Sequence, residues 1–124
     1  MNNAQFPALY SKACAAANEA GEKWLAEHTE PAWVVKNSNG SVAGTMLDLC
    51  GFAWVHLPKF NTGFARWAKA SNIARKAYNG GGTLSLAHHG AYRQEMGFNE
   101  ARCRAASAVL SEAGVEAYCQ SRID

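Results

Sequence analysis

Hydrophobic and polar positions follow two different periods along this chain, and the change of period marks the elements. Residues 8–27 repeat at helical spacing: Leu9, Ala13, Ala16, Ala17, Ala20, Trp24 and Leu25 share one face, while Lys12, Glu19, Glu22, Lys23 and Glu27 lie off it. Pro7 suits the first turn of that helix, where its missing N–H has no partner to lose. The face is mostly alanine, so it can approach another surface closely, with Trp24 as its bulky anchor.

The period then shortens to two. Residues 32–36 read as a strand, Asn37 to Gly40 as a turn, and 42–47 as the returning strand; Asn39-Gly40 is the strongest hairpin signal in the chain. Residues 50–57 form a further strand ending at Pro58, with Phe52, Trp54 and His56 on one side and Gly51, Ala53, Val55 and Leu57 on the other. Large aromatics at this spacing usually face helices, so Phe52 and Trp54 are expected in the core. Tyr118 joins them if the last strand pairs with this one.

Thr62 can cap a short helix running to residue 70, with Phe64, Trp67 and Ala68 on its inner face. Residues 73–79 fit either period, and Gly80-Gly81-Gly82 ends whatever they form. Residues 83–87 alternate as a strand and 88–98 read as a polar loop. Asn99 is a good N-cap for a helix to residue 113, stopped by Gly114, and residues 115–121 close the chain as a strand. The order α-β-β-β-α-β-α-β predicts a single α+β domain over residues 1–124. Its mixed or antiparallel sheet should have about five strands, with helices packed mainly on one face.

Charge changes this picture more than composition does. The net charge of +2 over 124 residues is too small for a general nucleic-acid coating protein. Its distribution is uneven, however. Residues 1–48 carry the acids Glu19, Glu22, Glu27, Glu30 and Asp48 against Lys12, Lys23 and Lys36. Between Asp48 and Glu95 no acid occurs, while Lys59, Arg66, Lys69, Arg75, Lys76 and Arg93 do. Uncompensated cations beside aromatic rings suit an anionic ligand that carries a ring.

From that segment the candidate ligand contacts are Arg66, Lys69, Arg75, Lys76, Gly81, His88, His89, Tyr92 and Arg93. Trp54 is added as a stacking group, and Arg122 as a cation that the last strand would fix if it were central in the sheet. Gly81 enters because adjacent N–H groups of a glycine run can point at one anion. The triplet precedes a strand and lacks the lysine and hydroxyl of a P-loop, so a turn or bulge explains it at least as well. His88 and His89 can serve as acid and base on a phosphodiester, but neighbours on extended backbone point opposite ways. A solvated surface loop is the preferred reading there. No catalytic residue is assigned, and a small phosphodiesterase using His56, His88 or His89 is the weakest alternative.

Cys14, Cys50, Cys103 and Cys119 have no metal-ligand spacing and read as reduced thiols, which fits the cytoplasm. No metal or cofactor is expected. The start of the chain does not read as a secretory signal, and no run is apolar enough to span a membrane.

Three stretches resemble a set of small uncharacterised proteins encoded by tailed bacteriophages. They are Asp48-Leu49-Cys50-Gly51-Phe52-Ala53-Trp54-Val55, Lys76-Ala77-Tyr78-Asn79-Gly80-Gly81, and Gly114-Val115 with Ser121-Arg122-Ile123-Asp124. The resemblance implies a context, an infected bacterial cytoplasm in which such proteins commonly serve anti-defence or host takeover. It brings no catalytic residues with it. Residue chemistry and context together predict a non-enzymatic binder of a signalling nucleotide or a nucleic-acid-containing host complex. The alternative partner is a host protein, inhibited through an acidic patch, and the alanine face of the first helix suits a homodimer.

Overall fold

The computed structural model describes residues 3–87 and 93–123. A single 3-10 turn, Asn3–Gln5, leads into α1 (Phe6–Glu27), with Pro7 in its first turn. The hairpin β1 (Trp33–Lys36) and β2 (Val42–Met46) follows, then β3 (Gly51–Leu57) and α2 (Gly63–Ala70). A second hairpin, β4 (Ala74–Lys76) and β5 (Gly82–Leu84), precedes α3 (Met96–Glu112) and β6 (Tyr118–Ile123). The class is α+β, as the two periods predict.

The strands divide into two antiparallel sheets rather than one. β1 and β2 pair only with each other, and the other four are ordered β4-β5-β3-β6. The ambiguous segment resolves as β4, because Asn72 takes a left-handed conformation (φ 61) that stops α2 and turns the chain back. Of the two outer strands of the larger sheet, β4 pairs with its hairpin partner β5, whereas β6 pairs with β3, distant in sequence.

β3 is the organising strand. Val55 and Leu57 are fully buried, and they share one cluster with Ala74 and Leu84 of the neighbouring strands. Phe6, Leu9, Ala13 and Ala17 of α1, Phe64, Ala65 and Ala68 of α2, and Cys103, Ala106 and Leu110 of α3 complete it. The described helices thus cover the same face of the four-stranded sheet. Apolar burial of this kind stabilises by about 25 cal/mol per Å2 removed from water.

The alanine face of α1 is used inside the chain. Ala13, Ala17 and Gly21 are buried against α3, and a Cβ on Gly21 would stand 2.8 Å from the Phe98 ring. The surface that suggested self-association is therefore occupied by α3. Trp24 closes the contact, edge-on to Phe98 at 6.1 Å and stacked on His28 at 4.0 Å.

α3 begins three residues before the expected Asn99 cap. Asp48, far away in sequence, accepts a hydrogen bond from the Gly97 N–H at 2.8 Å and so caps the first turn from outside. Asn99 instead lies inside the helix and donates its amide to the Arg93 carbonyl at 3.2 Å. A cap supplied by another part of the chain leaves no local signal. Asp48→Ala is expected to lower stability by about 1 kcal/mol in urea unfolding, and an unchanged midpoint would show that α3 starts without it.

Candidate functional site

Antiparallel pairing puts directly opposed residues on the same side of a sheet, so the register decides which side chains meet. His56 lies opposite Thr83 on β5 and Tyr118 on β6, and Thr83 lies opposite Arg75 on β4. One row, Arg75–Thr83–His56–Tyr118, therefore crosses all four strands. Beside it run Trp54 opposite Gln120 and Phe52 opposite Arg122. These eight residues alternate with the buried set and stand outside the core cluster.

This corrects the expectation that Phe52 and Trp54 are core. Phe52 is 39% exposed and Tyr118 53% exposed. The helices took the other face, because Val55 and Leu57 there offer apolar surface unbroken by a polar partner such as His56. Trp54 donates its indole N–H to the Gln120 side-chain oxygen at 3.1 Å, which orients the ring. The Arg122 guanidinium sits 5.5 Å from the centre of the Phe52 ring, a cation–π contact between neighbouring strands.

The face is also acid-free. None of the strands β3, β4, β5 and β6 contains Asp or Glu, whereas Arg75, Lys76 and Arg122 lie on them. The side chains of Arg75 and Lys76 form no ion pair or hydrogen bond with the described residues. They border a groove of about 470 Å3 lined further by Trp54, His56, Tyr78, Thr83 and Gln120. Tyr78, at the tip of the β4–β5 hairpin, is fully exposed. At the far rim Glu116 accepts from the Tyr118 hydroxyl at 2.9 Å and pairs with Lys59 at 3.4 Å. The Glu116 carboxylate raises the Tyr118 pKa above the ordinary phenol value, keeping that hydroxyl a neutral donor.

The glycine triplet serves the hairpin. Ala77 and Gly81 are bonded across the turn at 3.0 Å, and Gly80 and Gly81 both take positive φ (97 and 68). A Cβ on Gly81 would stand 2.6 Å from the Leu57 carbonyl oxygen and 2.9 Å from the His56 ring. Gly81 therefore lets the hairpin lie against the end of β3, which places Arg75 and Tyr78 beside the aromatic face.

Other candidates from the sequence fall elsewhere. Arg66 and Lys69 project from α2, on the helical side of the sheet; Lys69 lies 5.8 Å from the Phe60 ring, and Arg66 borders a separate hollow with Asn3 and Trp67. Arg93 is neutralised by a two-pronged pair with buried Glu95, at 3.1 and 3.0 Å. His88, His89 and Tyr92 lie outside the described residues. The residues that flank them are firmly held: Arg102, itself buried, donates to the Ala87 carbonyl at 2.9 Å and to Asn18 at 3.2 Å. Thus Trp54, Arg75 and Arg122 share one face with Phe52, His56 and Tyr118. Gly81, Tyr78 and Lys76, the last opposite Gly82 in the row of Leu57, border it at the hairpin. The alternation of β3 carried the signal for Phe52, Trp54 and His56, but not which face would stay open.

Two other clefts already have partners for their charges. One, of about 340 Å3, is bordered by the Lys59–Glu116 pair, and the other, of about 250 Å3, by Arg102 with its two acceptors. No group of three or more His, Cys, Asp or Glu among the described residues is arranged to hold a metal ion. No disulfide joins Cys14, Cys50, Cys103 and Cys119. Burial pushes the Cys103 thiol up to about 12 and raises Cys119 as well.

Compared with family models, curated proteins and solved structures, the chain shows no match.

Gly81→Ala is expected to cost about 1–3 kcal/mol from its left-handed backbone, read as a lowered thermal midpoint. At about pH 8 iodoacetamide should leave Cys103 unmodified in the folded protein and alkylate it once denatured. Labelling of Cys103 in the native state would contradict its burial.

Proposed function

We propose that this protein is a non-enzymatic binder of an anionic, base-bearing ligand, held on the open face of the four-stranded sheet. The observation that carries this reading is the meeting of Arg75, Arg122 and exposed aromatics on one side of a sheet whose strands carry no acid. A ring lying on Trp54 or Phe52 gains stacking worth about 1–3 kcal/mol, and a phosphate near Arg75 and Lys76 gains charge-assisted hydrogen bonds. Neither gain requires a chemical step. His56 has no carboxylate opposite it on either neighbouring strand, which favours binding over acid–base chemistry.

The resemblance to small tailed-phage proteins supports a biological setting of anti-defence or host takeover in the bacterial cytoplasm. In that setting the ligand is a signalling nucleotide or part of a nucleic-acid-containing complex of the host. A host protein is the second reading. Val34, Val35 and Val42 favour it, because they are exposed on the β1–β2 hairpin, a sheet separate from the four-stranded one.

Heat release of ligand from purified protein followed by mass spectrometry, with titration of nucleotides and oligonucleotides against Trp fluorescence, tests the first reading. A base-bearing anion should quench the signal, and Trp54→Phe should remove most of that quench. Arg75→Ala should weaken binding by about tenfold, the loss of one charge-assisted contact. If no base-bearing anion binds in either assay, the reading fails.

A further inference from the structure

We infer that the open face takes a single-stranded polynucleotide laid diagonally across the sheet, rather than a mononucleotide. This rests on the binding reading above and goes further, because it follows from the distance between the two cationic corners. Arg75 lies on β4 in the row of His56, and Arg122 lies on β6 in the row of Phe52. Four residues along β3 separate the rows, about 13 Å at the usual rise of a strand. Three strand spacings separate β4 from β6, about 14 Å. The corners are therefore about 20 Å apart across the sheet.

A mononucleotide carries its phosphates at one end and a single ring beside them. It can serve one corner and one aromatic, leaving the other corner unused. A stacked single strand advances about 3.4 Å per nucleotide, and more when its bases are splayed onto protein. Several nucleotides are thus needed to run from Arg75 and Lys76 to Arg122.

Between the corners lie the surfaces that splayed bases require. Trp54 is oriented by Gln120, and Phe52 carries the Arg122 guanidinium 5.5 Å from its ring centre. Tyr118, at the end of the His56 row on β6, lies off this diagonal and is tied to Glu116. Four-stranded sheets with surface aromatics hold two or three unstacked bases in other single-strand binders. A duplex is excluded by the same geometry, since its bases are stacked inside and present no free ring to Trp54 or Phe52. The strands between the corners carry no acid to repel the phosphates, and each end of the path carries a cation. RNA and DNA single strands share this chemistry, and nothing on the face singles out the 2′-hydroxyl.

Fluorescence anisotropy with mixed-sequence single strands of about two, four and eight nucleotides tests the proposal, since site sizes of single-strand folds start near four. RNA and DNA are run in parallel, with a duplex, mononucleotides and polyglutamate as competitors. Affinity should rise steeply from the shortest to the intermediate length. Phe52→Ala should weaken the intermediate strand by about tenfold. Arg75→Ala and Arg122→Ala should each lower the slope of log affinity on log salt by about 0.7. These residues are surface ones, and unchanged thermal midpoints should accompany the losses.

RNA bound more tightly than DNA, or the reverse, would identify the strand within the proposal. If mononucleotides bind as tightly as the eight-nucleotide strand, or Arg122→Ala leaves strand binding and its salt slope unchanged, the diagonal strand is wrong while the nucleotide-binding face survives. If polyglutamate competes as well as the strands, the face reads charge alone and fits an acidic protein. If no oligonucleotide or mononucleotide binds, both proposals fall together.

Discussion

The close contact between α1 and α3 is the constraint from which the rest of the molecule follows. Ala13, Ala17 and Gly21 offer α3 almost no side chain, so the two helix axes can come together. A four-stranded sheet is only about 14 Å across, and packed helices normally lie about 8–10 Å apart. Two helices this close fit over a single face. With α2 beside them they complete one core on Val55, Leu57, Ala74 and Leu84, and the opposite face is left to carry other chemistry.

That division gives β3 two roles. Its odd-numbered residues hold the core and its even-numbered residues build the surface, so stability and recognition are separated by a single residue step. Substitutions on the outer set should therefore be tolerated structurally far better than those on the inner set, where cavities cost several kcal/mol. The second hairpin adds the basic corner only because Gly81 allows it to lie against the end of β3. The two acids bracketing the long basic segment are both occupied by the fold, Asp48 at the start of α3 and Glu95 with Arg93. Neither is spent on the strands that form the open face.

The segment without acids looked like one site and is two surfaces. α2 carries Arg66 and Lys69 to the helical side, whereas β4 carries Arg75 and Lys76 to the rim of the open face. Charge counted along a chain does not distinguish these, because a turn at Asn72 lies between them. The misplaced start of α3 has a comparable origin. Asn99 is a sound cap by local chemistry, but Asp48 reaches the first turn of the helix from the loop between β2 and β3.

The sequence by itself determined the secondary structure periods, the α+β class, the small-residue face of α1 and the deficit of acid between Asp48 and Glu95. These are legible because they depend on spacing and residue type within a few turns of chain. Only the tertiary structure decided that β1 and β2 form their own sheet and that β6 pairs with β3. The same pairing brought Arg122 to Phe52 and Tyr118 to His56. It also decided that Phe52 and Trp54 face outward. An alternating strand specifies two faces without saying which will be covered, and that choice belongs to helices packed from far along the chain.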